Sequence, residues 1–559
     1  MKQLSLMLLI FSITVSLFAQ EEKHVVFLTD KDNNPYFLSN PIEFLTQRSL
    51  DRRTNSNISL DMKDLPVTPS YVTDIEATGA TVVYSLKWFN AVVVNTNDPG
   101  ILAAIAALPF VDHIDQVLSK TPVQGSGEPG IKQLDEIPPY TLIKPASVVT
   151  PKSTGSIDYG QAYNQTHMIS LDGLHDLGYT GQGMMIVILD AGFSQTDQIS
   201  AFDSLWLNNQ ILGTRDFNIP GNNVFGFDQH THGTSVLSTI GANLPGEMVG
   251  TAPHASFWLV RTEVGEYEAL IEEYNWAGGA EFADSLGADV INSSLGYTTF
   301  DNPVYDHSYA DMDGNTAPVT RAADLAASRG IIVVNSAGNS GGSSWQYIGA
   351  PADGDSVFSI GAVNASGWYA SFSSTGPTYD GRIKPDVVAQ GEGTTIVAAW
   401  GGVVQGNGTS FSSPIMAGAM ACLWQSAPAF SAQELRDAVR NTASLAATPD
   451  NLYGYGIPNM LNAMFVISAS STSFEPEQSY ALFPVPFTGS PWLKSNLTKS
   501  EQIRIEILSF SGQLISTQTL IVNSSSTVVL NDFNTMPSGL YFVRIISDSG
   551  QQVIRAVKQ

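Results

Sequence analysis

The middle of the chain alternates short apolar runs with longer segments of helical periodicity. The apolar runs have the length of buried strands, and the segments between them, such as 267–287 and 319–329, suit helices. This alternation predicts a mostly parallel, doubly wound α/β sheet with functional residues near the carboxyl ends of its strands. The runs are Met184–Leu189, Phe257–Val260, Ala288–Asn292, Ile331–Asn335 and Val357–Val363.

The N-terminal part of the chain has a mixed pattern. Strand-like patches occur at Val25–Phe27, Thr81–Tyr84 and Ala91–Val94, and a helical stretch covers Ile101–Leu108. Strands interleaved with helices predict a small α/β unit over residues 20–117.

The C-terminal part, residues 480–559, reads as short strands separated by turn residues, which predicts an all-β unit. Two stretches rich in Pro, Ser, Gly or Thr, 118–155 and 470–479, have the composition of linkers. We therefore expect a central domain at 156–469 between the two smaller units. The strand-like runs of the C-terminal unit are Ile503–Leu508, Gly512–Ile515, Ser526–Leu530, Leu540–Ile546 and Gln552–Val557.

The first residues have the pattern of a secretory signal. Lys2 supplies a positive charge, Leu4–Ala19 is apolar, and a small residue precedes Gln20, so we expect a signal peptide at residues 1–19. A retained membrane anchor is the alternative, but the stretch is short for it. No later segment is long and apolar enough to span a bilayer, so we expect no transmembrane anchor after signal removal.

Composition narrows the possible functions. Asp and Glu outnumber Lys and Arg by 52 to 26 among 559 residues, and the net charge of −26 argues against a nucleic-acid partner. The only cysteine, Cys422, rules out an internal disulfide. Because it lies in an apolar run, we interpret it as a small buried hydrophobic residue.

Three residues in glycine-rich surroundings suggest nucleophilic catalysis. Asp190 ends an apolar run, His232 precedes Gly233, and Ser410 precedes the helical run Pro414–Trp424, which predicts a helix starting near the proline. A serine hydroxyl needs a histidine to take its proton, and the histidine needs a carboxylate to hold its tautomer. The simpler alternatives are a strand-end turn for Asp190 and a helix cap for Ser410.

The segments around these residues resemble the subtilase family of serine endopeptidases. The resemblance implies that Asp190, His232 and Ser410 form a catalytic triad and that the rival His230 and the nearby Asp228 are not catalytic. Phe411 follows the serine where subtilisins often have methionine, so that oxidation route is absent. The matching segments are Val187–Gly192, His232–Val236, Gly250–Pro253, Val290–Gly296, Ala337–Asn339 and Gly408–Pro414.

The same resemblance implies further site residues. Asn339 is expected to complete an oxyanion hole with the Ser410 backbone N–H. Ser294, Leu295, Gly296 and Gly338 are expected to bind a polypeptide substrate, the first three as an edge strand.

The sequence defines neither the pocket for a substrate side chain nor a metal site. Gly349 is assigned to a pocket wall by a looser analogy. No cofactor is expected, and calcium is possible without an assigned site because subtilases often bind it. The acidic turn Asp311–Asn315 lacks the spacing of an EF-hand loop, and we interpret it as hydrated rather than metal-binding.

The two flanking units also resemble known modules. Residues 86–92 look like a strand of a subtilase inhibitory propeptide, with activating cleavage expected in the linker. The C-terminal unit is similar to the sorting domain of the type IX secretion system of Bacteroidota. That similarity implies a secreted or cell-surface protein that engages this machinery. It is carried by Leu482–Phe487, Ile505–Leu508, Ser538–Ile545 and Val557–Gln559.

These features favour a secreted serine endopeptidase made as an inhibited precursor. The alternative is a catalytically inactive, subtilase-like surface binding protein or adhesin. The complete set of Asp190, His232, Ser410 and Asn339 argues for the enzyme, because an inactive descendant is expected to lose at least one of them.

Overall fold

The computed structural model describes three stretches of the chain, 22–119, 157–470 and 480–558. The predicted signal peptide, most of the first linker and residues 471–479 lie outside them. Within the stretches, the residues left out are 227, 228, 266, 486, 496, 498, 510–512, 525, 538, 548 and 549.

The N-terminal unit is a four-stranded antiparallel sheet with helices. The strand order is β2-β3-β1-β4, as expected for a small α/β unit. One face of the sheet packs on α2 and α3 around Ile75, Val92 and Ile105. Its elements are β1 (Glu22–Leu28), a 3-10 turn (Pro41–Glu43), α1 (Gln47–Asn55), α2 (Pro69–Ala77), β2 (Thr81–Leu86), β3 (Ala91–Asn95), α3 (Pro99–Ala106) and β4 (Val111–Ser119).

The central unit begins with two short helices and then alternates strands and helices, as the sequence predicts. Its first half comprises α4 (Tyr163–His167), α5 (Asp172–Asp176), β5 (Met185–Asp190), α6 (Asp203–Leu207), β6 (Ile211–Asp216), α7 (His232–Gly241), β7 (Asn243–Leu244), β8 (Met248–Val249), β9 (Ser256–Arg261), α8 (Ile271–Leu286) and β10 (Val290–Ser293). The second half comprises α9 (Pro318–Ser328), β11 (Ile332–Ser336), β12 (Phe358–Val363), β13 (Val387–Gln390), β14 (Thr394–Val397), β15 (Val403–Gly406), α10 (Thr409–Ser426), α11 (Ala432–Asn441) and α12 (Met460–Ser470). Three 3-10 turns cover Ser200–Phe202, Pro303–Tyr305 and Tyr309–Asp311.

Seven of these strands form one parallel sheet in the order β13-β12-β11-β10-β5-β9-β6. The sheet is buried on both faces, which is why its strands read as continuous apolar runs. Helices α7 and α10 cover one face, and α8 and α9 cover the other. The doubly wound fold is thereby confirmed. Alternate residues face the two cores, Ile186, Ile188, Leu259 and Val334 on one side and Val187, Leu189, Val260 and Val333 on the other.

The second face of the N-terminal sheet packs on the α8–α9 side of the central unit. Val25, Leu86, Trp88 and Val117 join the same core cluster as Trp276 of α8. The N-terminal unit thus covers helices α8 and α9 and does not extend the central sheet.

The C-terminal unit consists of two small antiparallel sheets, β16-β17-β20 and β19-β18-β21-β22, around a shared core. The all-β prediction is therefore confirmed. Phe542 stacks on Phe465 of α12 with ring centroids 4.5 Å apart, which joins this unit to the central core. Its elements are β16 (Tyr480–Phe483), β17 (Trp492–Ser495), β18 (Glu501–Ser509), β19 (Leu514–Val522), β20 (Thr527–Val529), a 3-10 turn (Asn531–Thr535), β21 (Gly539–Ser547) and β22 (Gly550–Lys558).

The start of α10 corrects the sequence interpretation. The helix begins at Thr409 after Gly408, whereas the sequence places its start at Pro414, which lies inside the helix. A proline is tolerated there because the Ser410 carbonyl, whose helical partner would be the missing N–H of Pro414, accepts a hydrogen bond from the Ser294 hydroxyl at 2.9 Å.

None of the helices in the three described stretches is long and apolar enough to cross a bilayer. Cys422 is buried in α10, in agreement with its interpretation as a core residue.

Candidate active site

Asp190 and His232 form a buried pair at the carboxyl edge of the central sheet. Asp190 is the last residue of β5, and His232 is the first residue of α7. His232 Nδ1 lies 2.8 Å from Oδ1 and 3.0 Å from Oδ2 of Asp190. Because a carboxylate only accepts hydrogen bonds, Nδ1 carries the proton and Nε2 is left as the basic nitrogen.

Two glycines allow this close approach. A Cβ on Gly233 would lie 2.5 Å from the carbonyl oxygen of Gly192, and a Cβ on Gly192 would lie 2.8 Å from the backbone nitrogen of His230. The loop after β5 can therefore lie directly against the start of α7. The ring of His230 accepts the His232 backbone N–H at 3.1 Å, so His230 supports the helix start next to the pair. Asp228 lies outside the described residues.

Ser410 lies in the first turn of α10, where free backbone N–H groups and the helix dipole favour negative charge. It is buried, with 5% of its surface exposed. Its hydroxyl donates to the Ser294 carbonyl at 3.4 Å, and its own carbonyl accepts from the Ser294 hydroxyl. Ser294 thus holds Ser410 from both sides. The ring of Phe411 lies 6.3 Å from that of His232.

Asn339 is fixed to the start of α10 through its side-chain oxygen. Oδ1 accepts the backbone N–H of Thr409 at 2.8 Å and its hydroxyl at 2.9 Å. The Thr409 hydroxyl in turn accepts the Gly338 N–H at 3.1 Å. This arrangement sets the orientation of the amide, so that Nδ2 remains as the donor for a group in the cleft.

One cleft of about 400 Å³ brings the site residues together. Seven of the eight residues named from the sequence line it, and Asp190 lies buried behind His232. Gly349 also lines the cleft. The seven are His232, Ser294, Leu295, Gly296, Gly338, Asn339 and Ser410.

The structure adds cleft residues that the sequence interpretation missed. Thr298, Phe300, Tyr347 and Ser374 line the cleft, as do the acids Glu263, Glu268 and Asp301. Several of them follow β9 or β10 directly in the chain. The rule that functional residues lie after the carboxyl ends of parallel strands was available to find these.

Three glutamates come together beside the cleft. Carboxylate oxygens of Glu263, Glu268 and Glu272 all lie within 4.8 Å of one another. Both oxygens of Glu272 accept backbone N–H groups, and Oε1 of Glu263 accepts the Tyr297 hydroxyl at 2.6 Å. Calcium takes six to eight oxygen ligands, so these partly occupied carboxylates do not by themselves make a calcium site.

The acidic turn considered from the sequence has a local structural role. Asp313 accepts hydrogen bonds from the N–H groups of Asn315 and Thr316, and Asp311 accepts from Ser308. These bonds form the turn itself, and its interpretation as a hydrated rather than metal-binding loop stays a prediction. The expectation that the enzyme needs no cofactor stays a prediction.

Comparisons with known proteins identify all three units. The subtilase family model matches residues 181–456, a Bacteroidota propeptide domain of the same peptidase family matches residues 23–129, and a secretion system C-terminal sorting domain matches residues 481–559.

Relatives with established names are similar over most of their own length. Subtilisin E of Bacillus subtilis is 31% identical over 339 residues, which cover 60% of this chain and 77% of that protein. Subtilisin of Bacillus pumilus is 32% identical over 311 residues, which cover 55% of this chain and 98% of the relative. The crystal structure of MycP1 from the ESX-1 type VII secretion system is 20% identical, with a TM-score of 0.43 over 56% of this chain and 88% of that one.

The chain therefore belongs to the subtilase family of serine endopeptidases. It is a protease precursor with its own propeptide at the N-terminus and a sorting domain at the C-terminus, and it is exported to the medium or the cell surface.

Proposed function

We propose that Ser410, His232 and Asp190 hydrolyse peptide bonds through an acyl-enzyme, with Asn339 as an oxyanion donor. The observation that carries this proposal is the buried Asp190–His232 hydrogen bond, with His232 and Ser410 lining the same cleft. Residues 156–469 form the catalytic domain of this proposal, between linkers at 118–155 and 470–479.

The chemistry follows from the arrangement of hydrogen bonds. The Ser410 side chain rotates from the Ser294 carbonyl toward His232 and gives its proton to Nε2 as its oxygen attacks the substrate carbonyl. Asp190 stabilises the imidazolium that forms. His232 then protonates the leaving amine, and water attacks the acyl-enzyme by the same route in reverse, which releases Ser410.

The oxyanion that develops in each step needs hydrogen-bond donors. The Ser410 N–H belongs to the free first turn of α10, and the Asn339 amide has its oxygen engaged by Thr409, which supports Nδ2 as the second donor. Because both groups are held in place before substrate arrives, little reorganisation accompanies the reaction.

An extended polypeptide is the substrate that fits the cleft. Ser294, Leu295 and Gly296 follow β10 and line the cleft, where their backbone can pair with a substrate strand. Gly338 has φ of +103°, and a Cβ there would meet the Ser374 hydroxyl at 2.9 Å, so glycine keeps this wall close to the substrate.

The inactive surface protein remains the second hypothesis, and activity separates the two. In the enzyme, Ser410→Ala removes the nucleophile, so hydrolysis of a peptide substrate falls by at least about 10⁴-fold. Ser412→Ala is a matched control because its hydroxyl bonds within the same helix, to the Thr409 carbonyl at 3.1 Å. A processed Ser410→Ala chain with parental activity would refute the assignment.

The C-terminal unit is proposed as the address for type IX export. Deletion of residues 480–559 is expected to leave an active protease in the periplasm, and fusion of the same residues to a signal-bearing fluorescent protein is expected to carry it out of the cell. Fractionation measures both. Normal export of the truncated enzyme would favour an adhesive role for this unit.

A further inference from the structure

A buried carboxylate on the catalytic domain is surrounded by cations of the propeptide. Asp284 of α8 is fully buried and lies 2.6 Å from Arg52, 2.8 Å from Arg53 and 2.9 Å from Lys87. The two arginines belong to α1, and the lysine follows β2. All the cations that pair with Asp284 in these contacts come from the propeptide.

The surrounding groups add to the negative potential at this point. Asp284 lies in the last turn of α8, where the helix dipole is negative and carbonyls lack helical partners. Propeptide arginines donate to carbonyls in and just after this turn. Arg52 donates to the Asp284 carbonyl at 3.4 Å and to the Ala288 carbonyl at 2.5 Å, and Arg48 donates to the Gly287 carbonyl at 2.9 Å. The end of α8 is therefore a binding site for positive charge.

The contact lies away from the catalytic edge. Gly287 and Ala288 lead into the amino end of β10, whereas the cleft is built from loops after the carboxyl ends of the strands. Arg48 also pairs with Asp289 and donates to the Gly183 carbonyl at 3.0 Å, just before β5. This group of propeptide contacts thus lies at the edge of the sheet opposite Ser410.

The energetics of buried charge favour a role in selection. The attraction within a buried ion cluster is largely offset by desolvation, but removal of one partner leaves an unpaired buried charge at a high cost. A propeptide without cations at these positions would bury Asp284 unpaired. Such an arrangement discriminates between partners more than it adds affinity.

We infer that Asp284 is the recognition centre through which the catalytic domain retains its propeptide, and that it accepts only a partner presenting clustered cations there. The inference rests on the proposed precursor function. It adds a binding determinant on the face opposite the cleft, independent of contacts with the catalytic residues.

The test uses the whole chain with Ser410→Ala, a C-terminal affinity tag and the recognition sequence of a site-specific protease inserted between residues 119 and 157. After the added protease cuts, the immobilised protein is washed and the propeptide that remains bound is measured over time. Asp284→Asn is expected to release the propeptide at least about 100-fold faster than the parent. Arg53→Gln, on the other partner, is expected to act similarly.

The double variant Asp284→Asn with Arg53→Gln tests the contact itself. Each change removes the shared Asp284–Arg53 contact, whatever else it disturbs, such as the pair of Arg53 with Asp64 at 2.8 Å. The double variant is therefore expected to accelerate release by less than the product of the two single effects. Multiplicative effects would overturn the inference, as would a parental release rate for Asp284→Asn.

Asp61→Asn is a matched control at the same interface. Asp61 pairs with Arg329 at 2.9 Å, but its side chain is 53% exposed, so release is expected to change by less than about fivefold. An effect equal to that of Asp284→Asn would indicate general charge attraction and would overturn the inference.

Two further measurements keep the test decisive. If Asp284→Asn does not accumulate as folded protein, Lys87→Gln replaces it in the test. Release is then expected to be only about tenfold faster than for the parent, because Arg52 and Arg53 still pair with Asp284. An unchanged rate would count against the inference. Self-cleavage of the Ser410→Ala chain before the protease is added would refute the triad proposal, while the retention assay would still compare the propeptide contacts.

Discussion

Two buried carboxylates, Asp190 and Asp284, sit toward opposite edges of the central sheet and have different partners. Asp190 bonds one imidazole, whereas Asp284 meets two guanidinium groups and an ammonium. The partners explain the difference in the roles proposed for the two carboxylates. An imidazole can gain and lose a proton near neutral pH, but arginine stays charged, so the first pair suits proton transfer and the second suits fixed attachment.

The comparison also separates what each unit of the precursor does. The proposed catalytic edge is assembled from the central domain alone, from the loops after β5, β10 and β11 and the starts of α7 and α10. The opposite contact needs two units of the chain. Removal of the propeptide therefore takes away the cations around Asp284 and leaves the Asp190–His232 pair intact.

The largest predicted effect comes from replacing each of the two carboxylates, in turn, by an amide in the mature enzyme. Asp190→Asn is expected to lower kcat by about 10⁴-fold, because an amide no longer holds the His232 tautomer or its positive form. Asp284→Asn in the same mature enzyme is expected to change kcat by less than about threefold, since its partners have left. Steady-state hydrolysis of a peptide substrate measures both. Equal losses would remove the distinction between the two sites.

A smaller loss is expected at the oxyanion donor. Asn339→Ala is expected to lower kcat by about 10²–10³-fold with little change in KM, which is the size typical for loss of one such donor. Asn339→Asp, which keeps the shape but replaces the donor by an acceptor, is expected to be at least as impaired. A change confined to KM would assign Asn339 to substrate binding instead.

The propeptide contact is expected to depend on pH in both directions. Burial acts to raise the pKa of Asp284, but Lys87, Arg52 and Arg53 outweigh it and lower the pKa from 3.8 to about 2. A lowered pKa means that this contribution is present above about pH 4 and is lost as the pH falls toward 2.

A second carboxylate at the interface shifts the other way. Burial raises the pKa of Glu281, which accepts the N–H groups of Lys87 and Trp88, from 4.5 to about 7. Its contribution is therefore present below about pH 4.5 and is lost as the pH rises through 7. Retention of the cut propeptide should therefore be strongest near pH 4–4.5, about threefold weaker at pH 3 and at least about tenfold weaker at pH 7–8. A release rate that is flat from pH 3 to pH 8 would contradict this.

The smallest predicted effect concerns the support of the nucleophile. Ser294→Ala removes the hydrogen bond to the Ser410 carbonyl and is expected to lower the free energy of unfolding by about 1 kcal/mol. Urea unfolding in the Ser410→Ala background, which prevents self-digestion, measures it. Ser412→Ala serves as the comparison because its bond stays within one helix turn.

The sequence was sufficient for the fold class and for seven residues that line the cleft, but it missed others such as Thr298 and Tyr347. Asp190 and Ser410 stand next to local signals, a strand end and a glycine before a helix, that depend only on nearby residues. The exact start of α10 was missed because the partner of the Ser410 carbonyl is Ser294, which is far away in the sequence.

The recognition of the propeptide could not be predicted for a related reason. Arg52 and Asp284 are separated by 232 residues and meet only after both units have folded and docked. Arg52 and Arg53 are charged residues, a type that is mostly exposed in proteins. Their burial follows from the packing of α1 against the end of α8, which no local pattern records.

The most direct test of the central claim is covalent labelling of the mature enzyme with a fluorophosphonate, followed by peptide mapping. The mechanism predicts one label on Ser410 and a loss of activity in proportion to labelling. It predicts no label on the double variant Asp190→Asn with Ser410→Ala. A label on another serine, or stoichiometric labelling of the Ser410→Ala chain, would contradict the assignment of the nucleophile.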